Sequence, residues 1–413
     1  MSPDRLDIAL LFPRISAPSG GVEVTLKVIE HAGAANVRYT AFLTKDNILS
    51  AEVTRRLEGL VRDGHLEIRS LANGGTAPPQ GSYDAMVVTS EFWMPALRKA
   101  LRAGLRAPLY VKVHQLPYLG TLDVLKAVGI DEPTLVDLAR FPLVASRILR
   151  APVPFFAFQL AACGLSVRAL GRRPDARVMA VTPVTSRNLR AFGYRGPLFV
   201  PPVHVGIEAD RLGASAPESG PTEYDGVYVG RFHPHKGFLD LPFVAAHLKR
   251  RLGRDVRIAV CGSPQFPRHQ EIFDRLVRSL GVRDNLVMLG WLSQEDLYET
   301  MRRSRALLYP SYVDAFSITV LESLCLGVPI LAYGIDALRM IWSSRSGVFL
   351  SRVGDPAALA DVYARLEGEG RFQEARHTMR SQIADLLKEY TWERAVRFER
   401  EFYEGLWSTA AGG

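Results

Sequence analysis

Short apolar runs alternate with longer amphipathic stretches along almost the whole chain. Asp7–Phe12 is apolar after its first residue, which predicts a strand buried on both faces. The loop Pro13–Ser19 follows and carries Gly20-Gly21-Val22-Glu23. An amphipathic helix then runs through Leu26 and Ile29. Val37–Leu43, His65–Ser70, Tyr83–Ser90, Pro108–His114 and Ala176–Thr182 read as further strands. Ser50–Asp63, Glu91–Ala103 and the stretch from Pro183 to Phe192 read as helices. After Leu198–Val205 the rhythm repeats. Gly226–Gly230, Val256–Cys261, Leu286–Leu289, Ala306–Tyr309 and Val328–Tyr333 read as strands. His269–Leu280, Gln294–Arg303, Ser317–Gly327, Asp355–Leu366 and Arg371–Glu389 read as helices. Strands alternating with helices predict parallel α/β layers.

Length turns one such domain into two, because 413 residues exceed what a single core ordinarily serves. The stretch Ala209–Tyr224, rich in Gly, Pro, Ser and acids, is the expected linker. The domains are then residues 1–208 and 225–389, with 390–413 as a final segment. Gly120–Arg173 is the least transparent region, helical in pattern but broken at Pro133, Pro142, Pro152 and Pro154. Its apolar faces carry Arg147, Arg150 and Arg168. Such helices either lie on a membrane surface or pack on the sheet.

Charge adds a polarity. The net charge is +8, yet Arg98 to Arg195 alone holds 16 basic against 5 acidic residues, an excess of 11. A region of that kind attracts phosphates or anionic lipid, or forms solvated helix faces. No RNA-module aromatics and no zinc finger accompany it, so nucleic acid is not the expected partner. The three cysteines, Cys163, Cys261 and Cys325, lie far apart, which argues against disulfides and a Cys-based metal site. The N-terminus lacks a basic-then-apolar signal and no apolar run reaches a membrane span. A cytoplasmic protein, peripheral at the inner face of the membrane if the basic region docks there, is the expectation.

Candidate chemistry gathers at predicted strand ends. Gly20 and Gly21 follow the first strand, and two glycines let a backbone approach a diphosphate closely. His114 closes the strand Pro108–His114, and active-site residues of parallel sheets lie at carboxyl ends. Arg231 and Lys236 follow Gly226–Gly230. The flat donor fork of arginine and the point charge of lysine together suit a diphosphate. The turn is not a P-loop, since the Gly-x(4)-Gly-Lys-Ser/Thr order is missing, and His233 and His235 read as loop residues. After Ala306–Tyr309 come Asp314 in a loop and Glu322 in the following helix, eight positions apart. The N–H groups that open that helix make it an anion site.

The stretch from Asp314 to Glu322 resembles the Glu-x(7)-Glu signature of family 4 glycosyltransferases. It departs from it in Asp314, where the first Glu is usual, and in Ser317, where Gly usually follows Phe. Gly230-Arg231-x(4)-Lys236-Gly237 matches the family's second signature. The Pro…Gly-Gly-x-Glu opening resembles the glycosyltransferase opening, and the Pro201-Pro202-Val203 stretch resembles the family's mannosyltransferases of lipid-linked glycan assembly. The resemblance implies the GT-B fold: two Rossmann-like, doubly wound parallel-sheet domains facing across a cleft. It also implies that the last helix crosses back to the first domain, with Trp392 at the junction.

The implied activity is retaining transfer of a hexose from a nucleotide-diphosphate sugar, GDP-mannose or a UDP-sugar, to a glycan or lipid-linked acceptor. Arg231, Lys236 and the N–H groups of Ile318, Thr319 and Val320 would stabilise the departing diphosphate. Glu322 would hold the ribose. Asp314, helped by the N–H groups of Phe316 and Ser317, would hold donor-sugar hydroxyls. The turns at Gly262 and at Trp291 and Leu292 would border the base. Gly20, Gly21 and Glu23 would face phosphates and acceptor, and His114 the transferred sugar. Inverting chemistry would instead need His114 or Glu23 as general base. The usual Gly-Gly pair after Val328–Tyr333 is replaced by Gly334-Ile335. No Asp-x-Asp occurs in the chain. Arg and Lys take the place of a metal, so no metal and no cofactor are expected. The alternatives are an epimerase-type GT-B enzyme and a non-catalytic sugar-nucleotide binder.

Overall fold

The computed structural model describes residues 5–11, 20–43, 51–70, 83–91, 109–115, 153–173, 176–212, 222–264 and 267–405. The predicted loop Pro13–Ser19, most of the predicted helix Glu91–Ala103, and residues 120–152 of the opaque region lie outside them.

Two compact units result. The first takes its described residues from the chain before 119, from Phe158–Ile207 and from the segment that begins at Glu389. The second contains Glu208–Lys388 and, from the earlier stretch Leu119–Ala157, the described residues 153–157, the first turn of the helix Val153–Gly171. In the first unit, strands β1 (Leu6–Leu11), β2 (Val37–Leu43), β3 (Leu66–Ser70), β4 (Ala85–Glu91), β5 (Leu109–Gln115), β6 (Ala176–Ala180) and β7 (Leu198–Phe199) form one parallel sheet. Its order is β3-β2-β1-β4-β5-β6-β7. Ile8, Ala9 and Leu10 are buried, as are Val87, Val111 and Val178, so the centre of the sheet is covered on both faces. That burial is why these strands read as unbroken apolar runs. Helix α1 (Gly20–His31) follows β1, and α2 (Ala51–Arg62) turns Val53, Leu57 and Leu60 inward with Arg55 and Glu58 outward. Helices α3 (Val153–Gly171) and α4 (Pro183–Ala191) flank β6. Thr182 caps α4 by accepting from the Thr185 N–H.

In the second unit, β8 (Gly226–Val229), β9 (Ile258–Cys261), β10 (Leu286–Gly290), β11 (Leu307–Tyr309), β12 (Ile330–Tyr333) and β13 (Val348–Ser351) form a second parallel sheet. Its order is β10-β9-β8-β11-β12-β13. Helices α5 (Leu241–Leu252), α6 (Pro267–Leu280), α7 (Gln294–Arg302), α8 (Ile318–Cys325), α9 (Pro356–Gly368) and α10 (Arg371–Glu389) connect and flank the strands. Helix α11 (Trp392–Glu404) ends the described chain and belongs to the first unit.

Both sheets reverse direction beside their first strand. The reversal falls between β1 and β4 in the first unit and between β8 and β11 in the second. Where strand order reverses, the loops at the carboxyl ends part and leave a crevice for ligand. The two signature turns of the second unit, after β8 and after β11, therefore flank its switch point.

Four local features depart from the sequence expectation. Gly20 and Gly21 are already helical, the Gly21 carbonyl accepting from the Thr25 hydroxyl at 2.8 Å. Ala209–Leu212, expected in the linker, is a 3-10 turn of the second unit. A π-type turn, Leu338–Trp342, and the strand β13 had no clear signal.

Candidate donor site of the second unit

The turn after β8 is tight. His233 caps a 3-10 turn over Pro234–Lys236, and Gly237 ends it at φ 70°. A methyl group at Gly237 would run into the Pro310 carbonyl oxygen, so the two signature loops touch backbone to backbone. The Tyr312 N–H and the Ser311 hydroxyl both donate to the His235 carbonyl, at 2.8 and 3.1 Å. The neighbouring turn is packed in the same way. Gly262, at φ 136°, leaves no room for a Cβ beside the Gly230 carbonyl oxygen, and its N–H donates to the Gly290 carbonyl at 2.7 Å. The loops after β8, β9, β10 and β11 are thus stitched into one surface, and only glycine permits the approach at 237 and 262.

Lys236 and Asp314 meet on this surface. Lys236 Nζ donates to Asp314 Oδ2 at 2.6 Å, with the two side chains 32% and 15% exposed. The Tyr309 hydroxyl donates to the same oxygen. Asp314 Oδ1 accepts from the N–H groups of Ala315, Phe316 and Ser317 at 2.7, 3.1 and 3.0 Å. Burial would raise the Asp314 carboxyl. The Lys236 charge and these hydrogen bonds outweigh it and hold the group at about 2. The shorter acid therefore folds back and caps its own loop, as Asp often does in turns. Ala315, Phe316 and Ser317 offer no spare N–H in this arrangement.

Ser317 stands at φ 75°, in the left-handed region where glycine is at ease. Its hydroxyl donates to the Tyr309 oxygen at 3.1 Å. Tyr309, Asp314 and Ser317 therefore form one connected set, and Tyr309 is the member that the sequence did not single out. Phe316 is fixed from behind: its carbonyl accepts from Trp342 Nε1 at 2.6 Å and its ring meets the Trp342 ring edge-on at 5.0 Å. Tyr333, at the end of β12, donates to Asp240 Oδ2 at 2.8 Å, as Tyr312 does at 2.7 Å. The substitution after β12 thus follows a strand whose last residue braces the β8 turn.

Helix α8 opens with Ile318 and Thr319, whose side chains are half-buried, while Val320 lies in the core. The Val320 and Leu321 N–H groups turn back to the Ser317 carbonyl at 3.0 and 3.2 Å. Of the three N–H groups expected to meet a diphosphate, Val320 is consumed by the helix itself. One turn on, Glu322 Oε1 accepts from the Tyr298 hydroxyl at 3.0 Å. Among the described residues the Arg231 guanidinium enters no ion pair, while its carbonyl accepts from the Tyr228 hydroxyl. Trp291 is 70% exposed directly after β10, with Leu292 half-buried beside it.

The candidates of the first unit are placed separately. Glu23 pairs with Arg56 of α2. His114 is buried at the carboxyl end of β5, and its Nε2 has no partner. Burial, the Lys112 charge and His204 hold His114 well below the usual histidine range, so its imidazole is neutral. His204 is pushed down to about 3 by burial and Lys112. Cys261 and Cys325 are buried free thiols, both raised to about 12 by burial, and so inert.

Comparison with known proteins bears on the family and the fold. Residues 216–384 match the family described as glycosyl transferases group 1. The chain is 30% identical over 200 residues to the D-inositol 3-phosphate glycosyltransferase of Salinispora arenicola, covering 47% of this chain and 42% of that one. It is 28% identical over 167 residues to the enzyme of the same name from Corynebacterium efficiens, covering 40% and 39%. The chain thus spans less than half the length of these relatives. Among solved structures, sucrose-phosphate synthase from Thermosynechococcus elongatus superposes with a TM-score of 0.63 over 97% of this chain and 99% of its own, at 17% identity. The Anabaena protein Alr3699/HepE, solved with UDP-glucose, also gives 0.63, over 97% and 99%, at 14% identity. The fold is the GT-B fold, and residues 216–384 are similar to glycosyl transferases group 1.

Proposed function

We propose that the chain is a glycosyltransferase that moves a hexose from a nucleotide-diphosphate sugar to a hydroxyl of a glycan or lipid-linked acceptor, with retention at the anomeric carbon. One observation carries the reading. At the switch point of the second sheet, the Arg231 guanidinium and the Lys236–Asp314 pair stand on loops held together, with Glu322 on the helix that follows. The complex of HepE with UDP-glucose supports a UDP-sugar as donor.

In this reading the diphosphate lies over the β8 turn. Bond breaking at the anomeric carbon leaves negative charge on the β-phosphate. Arg231 meets it with a planar pair of donors, and Lys236 with the two ammonium protons that Asp314 does not take. Asp314 fixes the direction of Lys236 and the path of the loop; it reaches a sugar hydroxyl only by exchanging one of its present partners. Glu322 accepts from the ribose. Two protein cations supply the charge that a metal would otherwise supply, so turnover should persist in EDTA.

The acceptor belongs to the first unit, whose basic stretch suits a phosphorylated or lipid-linked molecule. On α3 the exposed Leu165 lies three residues before the exposed Arg168, a pairing suited to a bilayer surface. No described helix is long and apolar enough to cross a membrane. Salt-sensitive flotation with anionic vesicles is expected. The decisive assay incubates the protein with UDP-glucose and GDP-mannose, with and without acceptor glycolipid, and follows release of UDP or GDP. Lys236→Ala should lower turnover by orders of magnitude while the melting transition persists; near-normal turnover in that variant would refute the site.

A further inference from the structure

Behind Glu322 lies a line of polar groups whose direction is fixed by chemistry. Arg211, on the 3-10 turn Ala209–Leu212, donates from Nη1 to Gln294 Oε1 at 2.9 Å. Gln294 donates from Nε2 to the Tyr298 hydroxyl at 2.7 Å, and Tyr298 donates to Glu322 Oε1 at 3.0 Å. Arginine has donors only, so the Gln294 amide must turn its oxygen to Arg211 and its nitrogen to Tyr298. The phenol oxygen then receives a proton from Gln294, and its own single proton is sent to Glu322. Tyr298 is 3% exposed, so no solvent competes for that proton. Gln294 and Tyr298 sit four residues apart on one face of α7, and its N-cap, Ser293, holds the start of that helix by accepting from the Asp296 N–H.

We infer that Tyr298 is a positioning residue for Glu322, and that Gln294 and Arg211 set the polarity of the line that holds it. The inference rests on the reading of Glu322 as the ribose-binding acid. A carboxylate that must accept from two ribose hydroxyls binds them well only if its rotamer is fixed beforehand, since each freely turning bond is an ordering cost on binding. Tyr298 fixes that rotamer from the buried side. The line also begins in the first residues after the chain leaves the first unit, and Arg302 of the same helix donates to the Leu212 carbonyl.

Calorimetric titration of the full chain with UDP and with 2′,3′-dideoxy-UDP, and with GDP and its dideoxy analogue, tests this. The readout is the ratio of affinities between each ribose form and its dideoxy form, which a general loss of structure would not change selectively. Wild type should prefer one ribose nucleotide by about tenfold or more, as expected for hydrogen bonds to a charged group. Glu322→Gln should abolish the preference, and Tyr298→Phe should remove most of it. Gln294→Glu keeps the contact to Arg211 but offers the Tyr298 proton a competing carboxylate, so it should also lower the ratio. A full ratio in Tyr298→Phe and in Gln294→Glu, with loss in Glu322→Gln, would overturn the positioning role alone. An unchanged ratio in Glu322→Gln would overturn the ribose reading and this inference with it.

Discussion

Ser317 joins a backbone penalty to a side-chain bond. A left-handed conformation costs a residue with a side chain roughly 1–2 kcal/mol. The bond from its hydroxyl to Tyr309 returns about 1 kcal/mol. Ser317→Ala keeps the strain and loses the bond, and should destabilise the second unit by about 1 kcal/mol in urea melts. Ser317→Gly loses both and should stay within about 1 kcal/mol of wild type. Asp314 gives a pH signature. Its folded value of about 2 lies below the ordinary 3.8. The stability it contributes is present above about pH 4 and lost as pH falls toward 2, amounting to about 2 kcal/mol. Asp314→Asn should flatten that acid limb when stability is followed from pH 5 to pH 2. The sequence marked both positions as departures from the family pattern. It did not show that they answer each other through Tyr309, because a three-way contact between a strand end, a loop and a helix start has no linear spacing. Tyr298 escaped for the same reason: its partner Glu322 lies two elements away.

Among elements, most strands were legible, because burial on both faces leaves an unbroken apolar run. The boundaries were read less well where glycine begins a helix. Gly20 and Gly21 are poor helix formers, and they open α1 in its first turn, where there is little helix to lose. The strand β13 is half-exposed along Val348, Phe349 and Leu350 and gives a weaker pattern. The loops that bear the site were legible as sequence motifs but not as a fused surface. That fusion depends on Gly237 and Gly262, and it can be tested against glycines that share the positive φ without the crowding. Gly253 is at φ 65°, with open space where a methyl group would sit. Gly253→Ala should cost only about 1 kcal/mol. Gly237→Ala and Gly262→Ala must move backbone, and should abolish the thermal shift produced by UDP or GDP even where the protein still folds. Equal behaviour of all three variants would show that the loops are not fused.

At the scale of the whole molecule, helix α11 closes the first unit. Lys112 of β5, 2% exposed, pairs with Glu399 of α11, and the hydroxyls of Tyr39 and Tyr403 donate to the same carboxylate at 3.2 and 2.9 Å. Trp392 packs against Gly206 and stacks with His31. Lys112→Met leaves Glu399 buried and uncompensated, and should destabilise the first unit by about 3–5 kcal/mol. Lys112→Met with Glu399→Leu should recover much of that loss in a thermal melt, whereas additive losses would deny the coupling. The same pair also orders events in time. A ribosome adding about 5–20 residues per second needs roughly 10–40 s to travel from residue 207 to residue 404. Throughout that interval Lys112 is without its counter-charge, while Glu208–Lys388 of the second unit are made. A chain cut short before Glu399 would therefore leave Lys112 buried without its counter-charge.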